Sequence, residues 1–459
     1  MKTLRDWQEA DVTEALAHDS WFIAYEMGLG KTLVSVEWAK RKGDIETIVV
    51  ILPLSTIRSW TRTFNEQWPE MPVFRLNTKN KAGTLAFGKL KKQERGVYLI
   101  GWELMREGVL TGAHADLLIA DETHKQANFN KSQQSLMIQE IKGRYKLALS
   151  GTPAANRPDG IFATLNWLWP KQYKSYHNWI EKYWRTIRNG AIIELVRELK
   201  PGQIVADIPM FTRRLVKDHA EDLPGRLPER VIEVELSPAQ RKVYTAIDKE
   251  SGVWLDEGRN FLPTIYSLET DIRLRQIALG VPTMVEDEKT GKTKVTFAEN
   301  TRSSKIDALI ETVMLDEFRD DTFLVLTHSA QIIPAVVAQL RKKKISAAPY
   351  YGELSAEVKE RTLEDFGTKF RVLVAGLQGI GTGTDGLQYK CHNEFWLSKH
   401  PEWLVNEQGS SRLDRPGGGP PVNVWYCVAK DTRDEASMER LKEIGQSLSD
   451  MLDTPPDLY

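Results

Sequence analysis

The sequence predicts an α/β protein of two parallel-sheet lobes carrying helical insertions. Three observations lead there. The chain has 459 residues, more than one hydrophobic core usually organises. Short apolar runs bounded by polar stretches of helical period recur in both halves, the pattern of buried strands alternating with helices. Near the middle, Leu223-Pro224-Gly225-Arg226-Leu227-Pro228 interrupts both periodicities, as a linker does.

The first lobe is expected over 1–225, with strands at 21–25, 47–52, 97–100, 117–120 and 146–149. Its stretch 166–217 is rich in Trp, Tyr, Lys and Arg at helical spacing and predicts a helical protrusion. The stripe Trp167, Trp169, Tyr173, Tyr176, Trp179, Tyr183 and Trp184 is expected to pack that protrusion onto the lobe; stacking on bases is the alternative use of such rings. The second lobe, 226–459, carries strands at 322–327, 371–375, 394–397 and 422–428. It is expected to hold a helical insertion at 238–279 and an exposed, turn-rich loop at 286–301. The run Arg341-Lys342-Lys343-Lys344 closes a helix with an apolar face of Ile333, Val336, Val337 and Leu340. There it suits the macrodipole as well as it would suit a phosphate. The tail around Pro455-Pro456 is expected to fray.

Apolar residues make up 41% and charged residues 27% of the chain. No stretch approaches the roughly 20 apolar residues of a membrane span, and Met1-Lys2-Thr3-Leu4-Arg5-Asp6 lacks the apolar core of a signal peptide. A cytoplasmic location with no membrane partner is therefore expected. Cys391 and Cys427 stand far apart without a CxxC pair, which disfavours a zinc site and predicts two core residues in a reducing compartment. The formal net charge of −1 excludes a broadly basic nucleic-acid binder, so any DNA contact must be local.

Met27-Gly28-Leu29-Gly30-Lys31-Thr32 follows an apolar strand and opens a helix. In that setting backbone N–H groups and a helix N-terminus surround phosphate oxygens, the Lys31 ammonium reaches the β- and γ-phosphates, and the Thr32 hydroxyl is offered to Mg²⁺. The strict pattern would place glycine where Tyr25 stands, so the loop is a variant. Gly291-Lys292-Thr293 also spells the triplet but has no strand before it, and it is set aside. Hydrolysis needs a second acidic element at the end of a buried strand. Leu117-Leu118-Ile119-Ala120-Asp121-Glu122-Thr123-His124 supplies one, Asp121 for Mg²⁺ through water and Glu122 for the attacking water.

These motifs resemble those of the Swi/Snf-type DNA-dependent ATPases of helicase superfamily two, over nearly the whole chain. The resemblance implies two RecA-like lobes with the ATP site in the cleft between them, ATP and Mg²⁺ as cofactors, and DNA as the partner. Leu4-Arg5-Asp6-Trp7-Gln8 is similar to the family's first motif, in which Gln8 would read the adenine edge and Arg5 or Trp7 would support the base. Glu26 to Thr32 is similar to its phosphate loop, with Met27, Gly28, Leu29 and Gly30 around the nucleotide. Leu52-Pro53-Leu54-Ser55 and Gly101-Trp102-Glu103 resemble backbone-contacting motifs, which assigns Ser55, Gly101 and Trp102 to DNA. Ser150-Gly151-Thr152-Pro153 with Asn156 resembles the motif coupling nucleotide to DNA, and places Ser150, Thr152 and Asn156 on the DNA side.

Arg213-Arg214 with Lys217, Leu236-Ser237-Pro238, Leu274-Arg275-Gln276 and Ser304-Lys305-Ile306 continue the match in order and are specific to this family. Gly379-Ile380-Gly381-Thr382-Gly383-Thr384-Asp385 resembles the glycine-rich motif of the second lobe, with Gly379, Ile380, Gly381 and Thr382 toward DNA and Gly383 and Asp385 toward nucleotide. Gln408-Gly409-Ser410-Ser411-Arg412-Leu413-Asp414-Arg415 resembles the last motif. There Gln408 would touch the nucleotide, and Arg412 and Arg415, three apart on a helix, would reach the γ-phosphate. The expected activity is ATP-driven translocation on double-stranded DNA by a monomer whose protein partners are unknown. A strand-separating or branch-remodelling helicase is the rival within the class. A nucleotide-controlled DNA- or protein-binding module without translocation is the rival outside it, and the intact Lys31, Asp121, Glu122, Arg412 and Arg415 count against it. The compact size suggests a phage or bacterial version, with host cytoplasm as its compartment if phage-encoded.

Overall fold

A computed structural model describes residues 3–126, 129, 132–189, 192–200, 202–219, 224–249, 252–255, 260–263, 267–286, 293–381, 384, 386–415 and 417–453. Thr382, Gly383 and Asp385, assigned above to DNA and nucleotide, lie outside these residues, as do Leu223 of the linker, Gly291 and Lys292 of the discarded triplet, and Pro455-Pro456. The chain divides into two compact units, Met1–Glu221 with Ile444–Tyr459, and Asp222–Glu443. The final stretch therefore groups with the first unit, where the linear reading expected it in the second lobe.

The first unit is built on a seven-stranded parallel sheet. Its strands are β1 (Ser20–Tyr25), β2 (Thr47–Leu52), β3 (Val73–Arg75), β4 (Gly96–Gly101), β5 (His114–Asp121), β6 (Lys142–Leu149) and β9 (Phe211–Arg214), in the order β3-β4-β2-β5-β6-β1-β9; β7 (Trp184–Asn189) and β8 (Ile192–Glu198) form a separate hairpin. β2, Thr-Ile-Val-Val-Ile-Leu, is buried along its whole length, as a strand covered by helices on both faces must be. One face packs Trp21, Ile23, Val50 and Ile119 against Trp38, Trp60 and Phe64 from the helices Lys31–Lys42 and Ile57–Gln67. The first of these helices ends at Gly43 in the left-handed region and carries Lys40, Arg41 and Lys42 in its last turn, where cations offset the dipole.

The second unit holds a six-stranded parallel sheet. β10 (Arg230–Val234), β15 (Phe323–Thr327), β16 (Ala347–Tyr350), β17 (Val372–Gly376), β18 (Asn393–Trp396) and β19 (Asn423–Ala429) run in the order β10-β19-β18-β15-β17-β16, beside the hairpins β11 (Gly252–Leu255) with β12 (Asn260–Pro263) and β13 (Thr283–Glu286) with β14 (Thr293–Thr296). Phe323, Val325, Val372 and Val374 face one core and Leu324, Leu326, Leu373 and Ala375 the other, the alternation a strand requires. Both cysteines are buried. Two parallel-sheet α/β units with insertions are the fold class that the sequence predicts.

Several expectations need correction. The protrusion at 166–217 is only partly helical, since Ile161–Leu168 and Tyr176–Tyr183 are followed by the β7–β8 hairpin and by β9, which joins the main sheet beside β1. Likewise 238–279 is two helices, Pro238–Lys249 and Ser267–Leu279, separated by the β11–β12 hairpin. The loop at 286–301 contains β14, and Phe297 and Thr301 are buried rather than exposed. In each case cross-strand pairing, which local period does not register, overrides it. The aromatic stripe packs as expected: Trp167, Tyr173, Trp179, Tyr183 and Trp184 are buried. No described helix is long and apolar enough to cross a membrane.

Candidate functional site

The phosphate loop hangs between buried β1 and the helix Lys31–Lys42. Gly28 and Gly30 have φ of +86° and +80°, which only glycine adopts without strain. A Cβ on Gly30 would also lie 2.8 Å from Gln8 Nε2. Lys31 Nζ donates to Tyr25 O at 3.0 Å and Glu26 O at 3.3 Å. Burial lowers the Lys31 pKa, opposed by Glu122 and Asp121, so lysine and carboxylates share one electrostatic environment. Thr32, next in the helix, stands in its first turn.

Asp121 ends β5. Its carboxylate accepts from Trp60 Nε1 at 2.9 Å, and its carbonyl accepts from Trp102 Nε1 at 2.8 Å. Burial first, then the Glu122 charge, raise the Asp121 pKa; the Trp60 donor and Lys31 oppose them. Glu122 holds φ +57°, a conformation L residues rarely take and one concentrated at functional sites. His124 Nδ1 lies 3.2 Å from Glu122 Oε2, 3.1 Å from Ser150 Oγ and 3.5 Å from Thr152 Oγ1. A single ring nitrogen cannot serve all three groups at once. Gly151, between the two hydroxyl residues, packs against the loop: a Cβ there would lie 3.6 Å from Lys31 Nζ.

Linear reading missed the braces of this site. Arg213 on β9 donates to Ala24 O at 3.1 Å and Gly151 O at 3.2 Å, and its Nη2 lies 3.4 Å from Glu26 Oε1. Asp11 accepts from Tyr25 Oη at 2.7 Å and pairs with Arg214, which accounts for a tyrosine at the end of β1. Trp60 was readable only as the apolar face of an amphipathic helix.

The structure brings Gln8 to the loop, and Arg5 to Gln8. Gln8, 5% exposed, donates from Nε2 to Leu29 O at 2.9 Å, and its Oε1 accepts from Arg5 N at 2.9 Å. Arg5 Nη1 donates to His219 O at 2.8 Å, and Trp7 stacks on the His219 ring at 4.5 Å.

The residues assigned to DNA divide. Ser55 is exposed, and Asn156 and Gly379 are partly so. Trp102 is fully buried and Gly101 lies against Leu54; these are supports for Asp121 and β4 and not contact surfaces. Ser150 and Thr152 are buried beside His124, so they can transmit but not touch a backbone. Ile380 and Gly381 are buried as well.

Arg412 and Arg415 need a further correction. The helix Trp403–Ser410 stops before both, and proline follows Arg415 in sequence, which disfavours helix at that residue. Arg412 is 6% exposed. It donates to Gln408 O at 2.9 Å, Thr384 O at 2.9 Å and Gly381 O at 2.8 Å, which makes it a brace of the glycine-rich loop. Arg415 is less buried and donates from Nε to Ser411 O at 2.7 Å. Gln408, partly exposed, meets Arg412 through its carbonyl.

A family model, the SNF2-related domain, matches residues 14–279. The chain belongs to this SNF2-related family. Among curated proteins it is 28% identical over 448 residues to "Nuclear protein STH1/NPS1" of Saccharomyces cerevisiae, covering 92% of this chain and 32% of that one. It is 24% identical over 481 residues to "Protein CHROMATIN REMODELING 5" of Arabidopsis thaliana, covering 96% of this chain and 26% of that one. The SNF2-related chain thus spans a third or less of the length of these relatives. Among solved structures, the Pyrococcus furiosus Hef helicase domain aligns with TM-score 0.55 and 15% identity over 96% of this chain and 98% of that one, a likeness of fold.

The implied Mg²⁺ fits the donors present. Among the described residues no group of three or more His, Cys, Asp or Glu could hold a metal. One buried carboxylate, Asp121, and one hydroxyl, Thr32, suit an ion that keeps several waters and takes its remaining ligands from phosphates.

Proposed function

We propose that the SNF2-related chain hydrolyses ATP with Mg²⁺ and uses the cycle to translocate along double-stranded DNA. The observation that carries the reading is Glu122, held in a left-handed conformation beside Lys31 and Asp121 and sharing His124 with Ser150 and Thr152. Lys31 neutralises phosphate charge; Thr32 and Asp121 would hold the Mg²⁺, which supplies charge neutralisation at the phosphates when bound. Glu122 orients the attacking water, and Arg415 meets the charge that develops on the γ-phosphate. His124 changes partner between Glu122 and the Ser150–Thr152 hydroxyls, which couples the acidic element to the DNA side. Ser55, Asn156 and Gly379 contact the DNA backbone, and Gln8 with Arg5 takes the adenine. The working form is a cytoplasmic monomer; gel filtration at assay concentration tests the oligomeric state, and cell fractionation the location.

Membership in the SNF2-related family and the remodelling name of the Arabidopsis thaliana relative support duplex DNA as the track. The test is steady-state ATPase without DNA and with single strands, linear duplex, forks and four-way junctions, followed by displacement of a third strand from a triplex. Duplex should stimulate strongly, and the third strand should leave only with ATP. Efficient unwinding of a tailed duplex would overturn translocation in favour of strand separation. ATPase indifferent to every nucleic acid would favour a binding module.

A further inference from the structure

Residues 224–227, where the chain enters the second unit, are bolted to the segment that carries Arg415. Gly225 N donates to Asp414 Oδ1 at 3.1 Å, Val422 N donates to Gly225 O at 2.9 Å, and Leu227 N donates to Val422 O at 2.9 Å. Gly418 approaches so closely that a Cβ on it would lie 2.9 Å from Pro224 Cγ. At the centre is an ion pair. Arg226 forks onto Glu394 at 3.2 and 3.4 Å, and its Nη1 also donates to Ser410 O at 2.9 Å. Glu394 on β18 is fully buried and accepts from Trp396 Nε1 as well. Ser410 is the last residue of the helix that precedes Arg412 and Arg415.

Burying such a pair costs desolvation that its attraction does not reliably exceed, so stability is a poor explanation for it. Geometry is a better one. Planar, bidentate contacts fix orientation, and here one guanidinium joins a central strand, the end of a helix and the incoming chain. An arginine that must meet developing charge loses rate steeply when it is displaced by an ångström.

We propose that Arg226 and Glu394 are positioning residues for Arg415, holding Ser410, Asp414 and Val422 against the entering chain so that the Arg415 guanidinium is presented in one geometry. The inference rests on the reading of Arg415 as the γ-phosphate arginine. Neither residue touches nucleotide; both act through the segment they clamp.

The experiment is a kinetic cycle on the full chain with duplex DNA present. Arg226→Met with Glu394→Leu removes both charges together and avoids a lone buried carboxylate, with folding checked by circular dichroism and thermal melting. Arg226→Lys keeps the charge without the fork. In the wild-type background the double substitution should lower kcat by about tenfold or more while KM for ATP stays within about twofold, and Arg226→Lys should fall between. In an Arg415→Ala background it should have no further effect on kcat, because there is no guanidinium left to position. Equal fold-losses in both backgrounds would overturn the positioning role. An Arg415→Ala protein with unchanged kcat would instead refute the reading of Arg415 itself and take this inference with it.

Discussion

Arg412→Ala separates the brace from the finger. The Arg412 side chain is buried and feeds three backbone carbonyls, those of Gln408, Thr384 and Gly381. Truncation leaves Gly381 O without its donor, while Gln408 O still accepts from Ser411 Oγ at 3.1 Å and Thr384 O from Arg415 Nη1 at 3.5 Å. One buried, unpaired carbonyl costs about 1–3 kcal/mol, and the lost charge-assisted bonds to the other two add to it, so a net loss of about 2–3 kcal/mol is expected. For a unit of some two hundred residues 1 kcal/mol moves the melting point by about 2–4 °C, which places the fall at about 4–12 °C. Arg415→Ala should behave in the opposite manner, melting within about 2 °C of wild type while turnover falls by about a thousandfold. Differential scanning fluorimetry and steady-state ATPase on the same preparations make the comparison. If Arg412→Ala melted with wild type and lost turnover as Arg415→Ala does, Arg412 would be a phosphate contact and the assignment to a brace would be wrong.

Three further outcomes are expected. Lys31→Ala should weaken nucleotide binding, whereas Glu122→Gln should bind ATP normally and fail to turn it over; fluorescent-nucleotide titration beside phosphate release distinguishes them, and a hydrolysing Glu122→Gln protein would remove Glu122 from the mechanism. The Glu198 carboxyl is pushed up to about 7, mainly by burial and partly by the Asp450 charge, against the donor Gly202 N. The folded state therefore keeps this proton to higher pH than the unfolded chain, and stability is lost as pH rises from the ordinary carboxylate range through about 7. Glu198→Gln should accordingly melt about 2–4 °C above wild type at pH 8 and level with it at about pH 4; a gain of equal size at both would refute the titration. Duplex stimulation should fall steeply with added salt and vary little with DNA sequence, as contacts to phosphates require; stimulation unchanged by several-fold more salt would exclude a backbone track.

The parts of this protein legible in its sequence are those whose physics is local. The central strands announce themselves because β-branched, apolar runs such as Thr47–Leu52 and Phe323–Thr327 are buried on both faces. The phosphate loop is legible because Gly28 and Gly30 sit where only glycine is comfortable, immediately between a strand and a helix. Asp121 and Glu122 are legible because charge at the end of an apolar run marks the edge of the sheet. The family-specific residues along the middle of the chain, from Arg213 to Ile306, are also readable in order.

Tertiary structure decided the rest, wherever a residue's role depends on a partner far along the chain. β9 is four residues with two arginines, and it is a strand only because β1 lies beside it. The same contact makes Arg213 a brace of the phosphate loop, nearly 190 positions from Glu26. Trp102 reads as a surface ring in a DNA motif until the fold encloses it and turns its N–H onto the Asp121 carbonyl. Arg412 and Arg415 are indistinguishable by type and spacing; both follow the helix that ends at Ser410, and only the packed loop decides that Arg412 is buried among three carbonyls while Arg415 stays partly exposed. Side-chain chemistry and short-range periodicity are properties of the sequence, so they set the class of fold and the candidate chemistry. Burial and long-range pairing arise only on collapse, and they determined which candidates touch ligand and which hold the others in place.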